Sequence, residues 1–344
     1  MDFMDNFLEA TRTNRIISII GLAKNVSKTT TLNHIIKNLK GKCKLGLTSI
    51  GRDGEKYDAI TELPKPKIYI EEGTYVATAE ESYKNSAVKT KLIKVTDYNT
   101  PMGLISISKA LNSGYIELAG PSINSQLLEI CLELIKLGCD IVLIDGAFDR
   151  KSYATPLISH ATILSTGASV SENMQEVIEI TEHIAKLLTL EKETNKKIIE
   201  LAKKILNFSK IGFINKDYSI KNLKILTALG ASDDIKKNIE KDTHYIVING
   251  PITDQLLEDL IKSDNHCADI TFLVEDATKL FISKKTMEKF KKKGAKIKVL
   301  NSIKIIAITV NPTSPLGYEF NKIEFLKSLK SKIHIPIYDL GPCG

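Results

Sequence analysis

A lysine followed by three threonines, Lys28 to Thr31, stands where a predicted buried strand gives way to a predicted helix. Residues 16–20, IISII, are four β-branched isoleucines around one serine, and the residues after Thr31 repeat apolar side chains at helical spacing. A loop at such a junction presents backbone N–H groups at a helix start, where they attract anions. An ammonium and a hydroxyl at this place bind a phosphate chain and its Mg²⁺ ion. The stretch therefore predicts a phosphate-binding loop, with Lys28 for the phosphates and Thr29 for Mg²⁺.

The spacing of this loop departs from the common phosphate-loop pattern at two positions. Gly21 lies seven residues before Lys28 instead of six, and Ser27 stands where a second glycine is usual. Because only glycine adopts a positive φ without cost, we expect Ser27 to be tolerated there but to slow the chemistry. The predicted nucleotide-binding residues are Gly21, Lys24, Asn25, Val26, Ser27, Lys28, Thr29 and Thr30. A chance Lys-Thr-Thr sequence after a buried strand is the alternative.

A strand that ends in a carboxylate is predicted within residues 139–152, CDIVLIDGAFDRKS. Its apolar run ends in Asp145, the pattern of a central strand that places one carboxylate beside a nucleotide's Mg²⁺ ion. A carboxylate at the end of a buried strand is costly without a cation or hydrogen-bond donors, so Asp145 is predicted to bind the metal. Asp149 and Arg150 follow, and they fit either a ligand contact or a surface ion pair.

A polar loop after the predicted strand Lys44 to Ser49 supplies two further candidate carboxylates, Asp53 and Glu55. In phosphate-loop proteins a carboxylate after the second strand often reaches Mg²⁺ or its water molecules, which favours Asp53 and makes Glu55 the second choice. An ordinary charged turn is the alternative. The predicted catalytic residues are therefore Lys28, Asp53 and Asp145, and the predicted Mg²⁺ ligands are Thr29, Asp53 and Asp145.

Strand patterns alternate with helical patterns along the chain, which predicts an α/β fold. We predict a P-loop NTPase domain with a mostly parallel sheet over residues 1–190, a charged helical joint over 191–209, and a smaller α/β domain over 210–344. The segment 310–320, VNPTSPLGYEF, is assigned to that second domain. Its two prolines and its glycine predict a specific loop at the end of a strand, which fits a ligand or partner contact, or a rigid connector.

The composition indicates a globular protein without a membrane span. The chain has 344 residues, of which 43% are hydrophobic and 26% charged, and no apolar run approaches the roughly 20 residues that cross a bilayer. Five cysteines without a close pair predict neither disulfides nor a zinc site, and the first residues lack a signal-peptide pattern, so a cytoplasmic protein is predicted. The net charge of +7 comes mainly from scattered lysines, which does not favour nucleic acid as a partner.

Five segments taken together resemble the KamB family, the P-loop reactivating proteins of lysine 5,6-aminomutase. They are GLAKNVSKTTTLN, SIGRDGE, IDGAFDRKS, LSTGAS and VNPTSPLGYEF, in this order. The resemblance implies a protein that uses ATP and Mg²⁺ to restore an inactivated adenosylcobalamin enzyme. It implies lysine 5,6-aminomutase and a MutS-like ATPase subunit as partners, and it leaves a homodimer open.

Two other function classes stay open. The longer loop spacing is also similar to that of dethiobiotin synthetase, so a small-molecule ligase or kinase would hold a carboxylate or amine between the loop and residues 145–152. A ParA-like positioning ATPase is less favoured. Its signature lysine stands five residues before the loop lysine, where this chain has Ala23, and Lys24 is one position away.

Overall fold

The computed structural model describes residues 2–51, 68–148, 155–262 and 269–341. The chain divides into two compact units, one formed by Met1–Glu182 with Lys304–Gly344 and the other by His183–Ile303. Strands and helices alternate in both units, so the predicted α/β class is confirmed. Across the described ranges, none of the helices is long and apolar enough to cross a bilayer.

The elements of the described ranges are labelled in chain order. The strands are β1 (Ile16–Gly21), β2 (Leu45–Ser49), β3 (Ile68–Ile70), β4 (Tyr75–Ala79), β5 (Thr90–Thr100), β6 (Gly103–Ala110), β7 (Gly114–Ile116), β8 (Ile141–Phe148), β9 (Ala161–Gly167), β10 (Ile211–Asn215), β11 (Ile220–Asn222), β12 (Thr243–Ile248), β13 (Ile252–Thr253), β14 (Thr271–Asp276), β15 (Leu280–Phe281), β16 (Lys296–Asn301), β17 (Ile305–Asn311) and β18 (Ile337–Asp339). The helices are α1 (Phe3–Thr11), α2 (Lys28–Leu39), α3 (Glu80–Lys84), α4 (Asn124–Lys136), α5 (Met174–Leu188), α6 (Lys196–Phe208), α7 (Ser232–Asn238), α8 (Asp254–Lys262), α9 (Lys284–Lys292) and α10 (Lys322–Lys332).

The first unit is organised around one large, mostly parallel sheet. In the described ranges its strand order is β18-β17-β9-β1-β8-β2-β4-β6-β5. Neighbouring strands from β18 to β4 run parallel, whereas β6 and β5 are added antiparallel at one edge. Strands β1 and β8 are therefore direct neighbours, and their carboxyl ends meet at the same end of the sheet, where ligands bind in open α/β sheets.

Both faces of the central strands of this sheet are covered, which explains why these strands are nearly continuously apolar. Ile17 and Ile19 of β1 belong to the core cluster that contains Leu32 of helix α2. Ile16, which points to the opposite face, belongs to the cluster that contains Leu127 of helix α4. A parallel strand buried on both faces is apolar at nearly every position instead of alternating with polar residues.

The last part of the chain returns to the first sheet, which corrects the predicted domain boundary. Strand β17 pairs with β9 and strand β18 pairs with β17, both in parallel register. Residues 304–341 therefore belong to the first unit and not to a domain over 210–344. The prediction missed this because the pairing joins strands that are far apart in sequence, and the pattern of a strand does not identify its partner.

The second unit has its own sheet, in the order β11-β10-β12-β14-β16 within the described residues. Helix α6 packs on it through Ile198, Ala202 and Ile205, which share a cluster with sheet residues. The predicted joint over 191–209 is therefore part of the second unit. Its charged residues face solvent along one side of a helix whose other side belongs to the core.

A buried carboxylate, Glu193, ties the segment before α6 to this sheet. Its side chain is 3% exposed and accepts hydrogen bonds from the Tyr245 hydroxyl at 2.9 Å and from the backbone N–H groups of Thr194 and Asn195. Burial by itself would raise the pKa of Glu193, but these donors and the Lys298 ammonium lower it below its ordinary value of 4.5. The ionised carboxylate therefore stabilises the folded state.

Replacing Glu193 by glutamine should lower the unfolding free energy at pH 7 by about 1–3 kcal/mol. Because the folded pKa is lowered, the wild-type contribution is present above pH 4.5 and is lost as the pH falls through the folded value. Urea denaturation of both proteins from neutral to acidic pH should show the difference shrinking in acid. Glu191→Gln is the control, because Glu191 pairs with the same Lys298 ammonium but is exposed. A pH-independent difference would contradict the assignment.

Candidate phosphate-binding site

Strand β1 delivers a six-residue loop, Leu22 to Ser27, to the start of helix α2. The loop is fixed at both ends. The backbone N–H of Leu22 donates to the Ser165 carbonyl of the neighbouring strand β9 at 2.9 Å, and the backbone N–H of Thr31 donates to the Ser27 carbonyl at 2.9 Å. Val26 is fully buried and packs close to Gly21, where an added Cβ atom would lie 2.7 Å from its Cγ2. The predicted strand, loop and helix start are confirmed.

Two residues of the loop adopt left-handed backbone conformations. Asn25 has a φ of 58° and Ser27 a φ of 65°. Asparagine adopts this conformation more readily than most residues, whereas serine in this region is strained. Ser27 is the N-terminal cap of α2, but its side chain makes no capping hydrogen bond. Position 27 therefore has the backbone conformation for which a glycine is usual, as the loop pattern predicts.

Replacing Ser27 by glycine should raise the unfolding free energy by about 0.5–1 kcal/mol. Glycine removes the cost of the left-handed conformation, which is about 1–2 kcal/mol. It also increases the entropy of the unfolded chain, which offsets part of this stabilisation. Chemical denaturation measures the change. Asn25→Gly is the matched control and should gain less, since asparagine tolerates a positive φ. A loss of stability in Ser27→Gly would mean that the hydroxyl has a structural role.

The Lys28 side chain folds back over the loop. A Cβ atom on Gly21 would lie 3.0 Å from both Cδ and Nζ of Lys28, so glycine at position 21 leaves the space that the lysine stem occupies. Burial lowers the pKa of Lys28 from its ordinary value, the Asp145 carboxylate acts in the opposite direction, and the Lys24 charge adds to the decrease. An anion bound beside this half-buried ammonium would stabilise its charged form and raise the pKa again.

Asp145 lies on β8 beside the loop strand. It is opposite Ile19 of β1 on one side and opposite Ser49 of β2 on the other, and its side chain is half-buried. The pairing of β1 with β8 shifts directly after this point. The next residue must be small, because a Cβ atom on Gly146 would lie 2.5 Å from the Ile19 carbonyl oxygen. The Asp-Gly pair thus places a carboxylate within a central strand where its neighbour approaches very closely. Strand β8 continues to Phe148, which corrects the prediction that it ends at Asp145.

The three threonines at the start of α2 have different environments. Thr29 and Thr30 are half-buried in the first turn, whereas Thr31 is fully buried. The hydroxyl of Thr31 lies 3.0 Å from the Ser27 carbonyl oxygen and 2.9 Å from the Thr309 hydroxyl. Thr31 therefore anchors the helix start, and of the three threonines Thr29 and Thr30 are the ones that stay partly accessible.

Sequence reasoning missed the buried hydroxyls beneath the loop. The Thr309 hydroxyl of β17 also lies 2.8 Å from the Ser165 hydroxyl of β9, so three hydroxyls join α2 to two strands. A hydroxyl inside an otherwise apolar strand was the available signal, because buried polar groups need hydrogen-bond partners. The identity of the partner depends on strand order, which the sequence pattern does not supply.

The segment 310–320 lies in the same unit as the loop, which corrects its assignment to the second domain. Asn311 ends strand β17, and its side-chain amide lies 3.4 Å from the Asn25 carbonyl oxygen. Tyr318 donates a 2.7 Å hydrogen bond to the Ala168 carbonyl, just after strand β9. The prediction that this segment forms a specific loop at a strand end is confirmed, and the segment lies at the end of the first sheet that holds the loop between β1 and α2.

Four predicted carboxylate and arginine positions lie outside the described residues. Asp53 and Glu55 fall in residues 52–67, and Asp149 and Arg150 fall in residues 149–154, so their roles stay predictions. Within the described ranges, no three His, Cys, Asp or Glu side chains are grouped so as to hold a metal ion. A Mg²⁺ ion at the loop would use a hydroxyl, one carboxylate and the oxygens of a bound phosphate chain, the hard ligands that it prefers.

The residues brought together here fit a magnesium nucleotide in their chemistry. Backbone N–H groups at a helix start and a half-buried ammonium match phosphate in their chemistry, and the side chains of Thr29 and Asp145 carry oxygen atoms of the type that Mg²⁺ prefers. Comparisons of the chain with protein-family models, with curated proteins and with solved structures found no match.

Proposed function

We propose that residues 21–30 bind the triphosphate of ATP with Mg²⁺ and that the protein is a P-loop ATPase. The observation that carries the proposal is the placement of Lys28. Its amine folds over Gly21 at the N-terminus of α2, and the Asp145 carboxylate on the adjacent strand is near enough to influence its pKa. An ammonium, a helix N-terminus and a neighbouring carboxylate together are the groups that phosphoryl transfer requires.

Each group has a defined task in this proposal. The backbone N–H groups of the loop and of the first turn of α2 surround the phosphates, and Lys28 neutralises charge on their oxygens. Thr29 and Asp145 hold the Mg²⁺ ion directly or through water, and the ion supplies further charge neutralisation when it is bound. Asp53 is the predicted residue that orients the attacking water or senses the terminal phosphate. The strain at Ser27 and the missing second glycine predict slow hydrolysis.

We extend this proposal to a reactivating role toward lysine 5,6-aminomutase, together with a MutS-like ATPase subunit. The support is the order of the five segments that resemble the KamB family. All five have described residues at the end of the sheet that holds the loop. These are the loop itself, Ser49 of SIGRDGE, Asp145 of IDGAFDRKS, the segment LSTGAS at the end of β9, and VNPTSPLGYEF at the end of β17. Binding and hydrolysis would switch this surface between two states that grip and release an inactivated adenosylcobalamin enzyme.

A dethiobiotin-synthetase-like ligase or kinase is the second candidate, favoured by the seven-residue spacing from Gly21 to Lys28. The two functions differ in what stimulates turnover. A reactivating ATPase should hydrolyse ATP faster in the presence of inactivated aminomutase and fresh adenosylcobalamin, and aminomutase activity should recover. A ligase or kinase should be indifferent to the aminomutase and should respond to a small carboxylate or amine. Steady-state phosphate release with and without each addition separates them.

A further inference from the structure

The carbonyl of Asn25 is held by side chains from the ends of two strands. The Ser169 hydroxyl, which follows β9, donates to it at 3.3 Å, and the Asn311 amide at the end of β17 donates to it at 3.4 Å. Asn25 has a positive φ, and it lies in the middle of the loop whose N–H groups would face the phosphates. The two donors therefore hold a residue whose backbone has the less common left-handed conformation.

Tyr318 acts on the same carbonyl through Ser169. Its hydroxyl donates to the Ala168 carbonyl at 2.7 Å, in the short 3-10 turn Ala168–Val170 that carries Ser169. Tyr318 is itself fixed, because its carbonyl accepts the Ser314 N–H at 2.9 Å across a turn that contains Gly317 at a φ of 93°. Asn311 and Tyr318 belong to one segment, VNPTSPLGYEF, so this segment reaches Asn25 by two routes.

The close pairing of β17 with β9 brings Ser169 and Asn311 within reach of the Asn25 carbonyl. Asn311 is the register partner of Gly167, and a Cβ atom on Gly167 would lie 2.2 Å from the Asn311 carbonyl oxygen. A glycine at position 167 lets the two strand ends approach until both Ser169 and Asn311 reach Asn25. The return of the C-terminal segment to the first sheet thus has a consequence at the phosphate loop.

We propose that Asn311, Tyr318 and Ser169 are positioning residues that hold the phosphate loop in its binding conformation before a ligand arrives. The inference rests on the proposed function and deepens it. Holding Asn25 in place keeps the loop N–H groups aligned, which removes an ordering cost from phosphate binding. We call these three residues the brace. The brace acts on the loop conformation that binds the phosphates, so its loss should weaken every ligand that carries a triphosphate, with or without a nucleoside.

The test compares two probes, Mg·ATP and Mg·tripolyphosphate, by isothermal titration calorimetry on the full chain. Asn311→Ala and Ser169→Ala should each weaken both probes by about fivefold, the change expected from one ordinary hydrogen bond. Tyr318→Phe removes only the hydroxyl and should weaken both by about two- to threefold, because it acts through Ser169. Ser169→Thr keeps a donor and should restore affinity. Leu316→Ala is the matched control, because Leu316 lies in the same segment and is mostly exposed.

The outcomes separate a brace from its alternatives. Equal losses for both probes, with thermal unfolding little changed, support the brace. A loss confined to Mg·ATP would overturn it, since Asn311 or Tyr318 would then contact the nucleoside. Unchanged affinity in all three variants would also overturn it while leaving the proposed function intact. A wild-type protein that binds neither probe would overturn the proposed function together with the brace.

Discussion

Replacing Lys28 by methionine should weaken Mg·ATP binding at least about 100-fold and leave the free protein as stable as the wild type, or more stable. A hundredfold loss corresponds to roughly 3 kcal/mol, the range in which removal of a charge-assisted hydrogen bond falls. The ammonium is half-buried with a lowered pKa, so its charged form is disfavoured in the free protein, and methionine fills the same space without that cost. A functional residue that lowers the stability of its own fold is expected at a binding site.

Two measurements separate this prediction from a structural role of the lysine. Thermal unfolding without ligand should be unchanged or raised in Lys28→Met, and the upward shift that Mg·ATP gives the wild type should be absent. Lys37→Met is the matched control, because Lys37 lies on the same helix α2 and is exposed. Strong destabilisation of the free Lys28→Met protein would assign the lysine to the fold and not to a ligand.

Replacing Gly120 by alanine should lower the unfolding free energy of the first unit by more than about 3 kcal/mol, the upper range for overpacking. A Cβ atom on Gly120 would lie 1.7 Å from the Ser49 carbonyl oxygen, so the backbone at the end of β2 must move. Ser49 is the register partner of Asp145. The substitution should therefore disturb the end of β2 that pairs with Asp145, the predicted metal-binding carboxylate of β8.

Gly73→Ala controls for the general cost of replacing a glycine. Gly73 has a φ of 87°, but a Cβ atom there would meet nothing within 4 Å. Its cost should be the backbone term alone, about 1–2 kcal/mol. Circular dichroism melts of both variants should show the Gly120 variant shifted furthest, by roughly 6–12 °C. Equal shifts would mean that the contact between residue 120 and the end of β2 relaxes without cost.

Local sequence patterns predicted the parts of the site that are continuous in the chain. The apolar run of β1, the helix that starts at Lys28 and the strand that contains Asp145 were each visible as a pattern, because burial on both faces of a sheet requires apolar residues. The predicted end of that strand at Asp145 was wrong, since β8 continues to Phe148. The strain at Ser27 was also visible in the sequence, since glycine is usual at this position because it adopts a positive φ without cost. These features depend on neighbours in sequence, and they were predicted.

The features that depend on strand order were not predicted. Nothing in the residues around Asn311 indicates that β17 pairs with β9, so the segment 310–320 was assigned to the wrong unit. The hydroxyl contacts of Thr309 with Thr31 and Ser165 follow from the same pairing. A strand pattern specifies which faces are buried, but the choice of neighbour is decided by the whole sheet.

Calorimetric titration of the wild-type protein with Mg·ATP tests most directly whether the loop between β1 and α2 binds a magnesium nucleotide. We predict saturable binding with one site per chain at micromolar to submillimolar ATP, and loss of this binding in Lys28→Met. A dissociation constant of about 1 mM corresponds to only about 4 kcal/mol, too weak for a phosphate chain held by an ammonium, backbone N–H groups and Mg²⁺. The absence of binding up to that concentration would contradict the account.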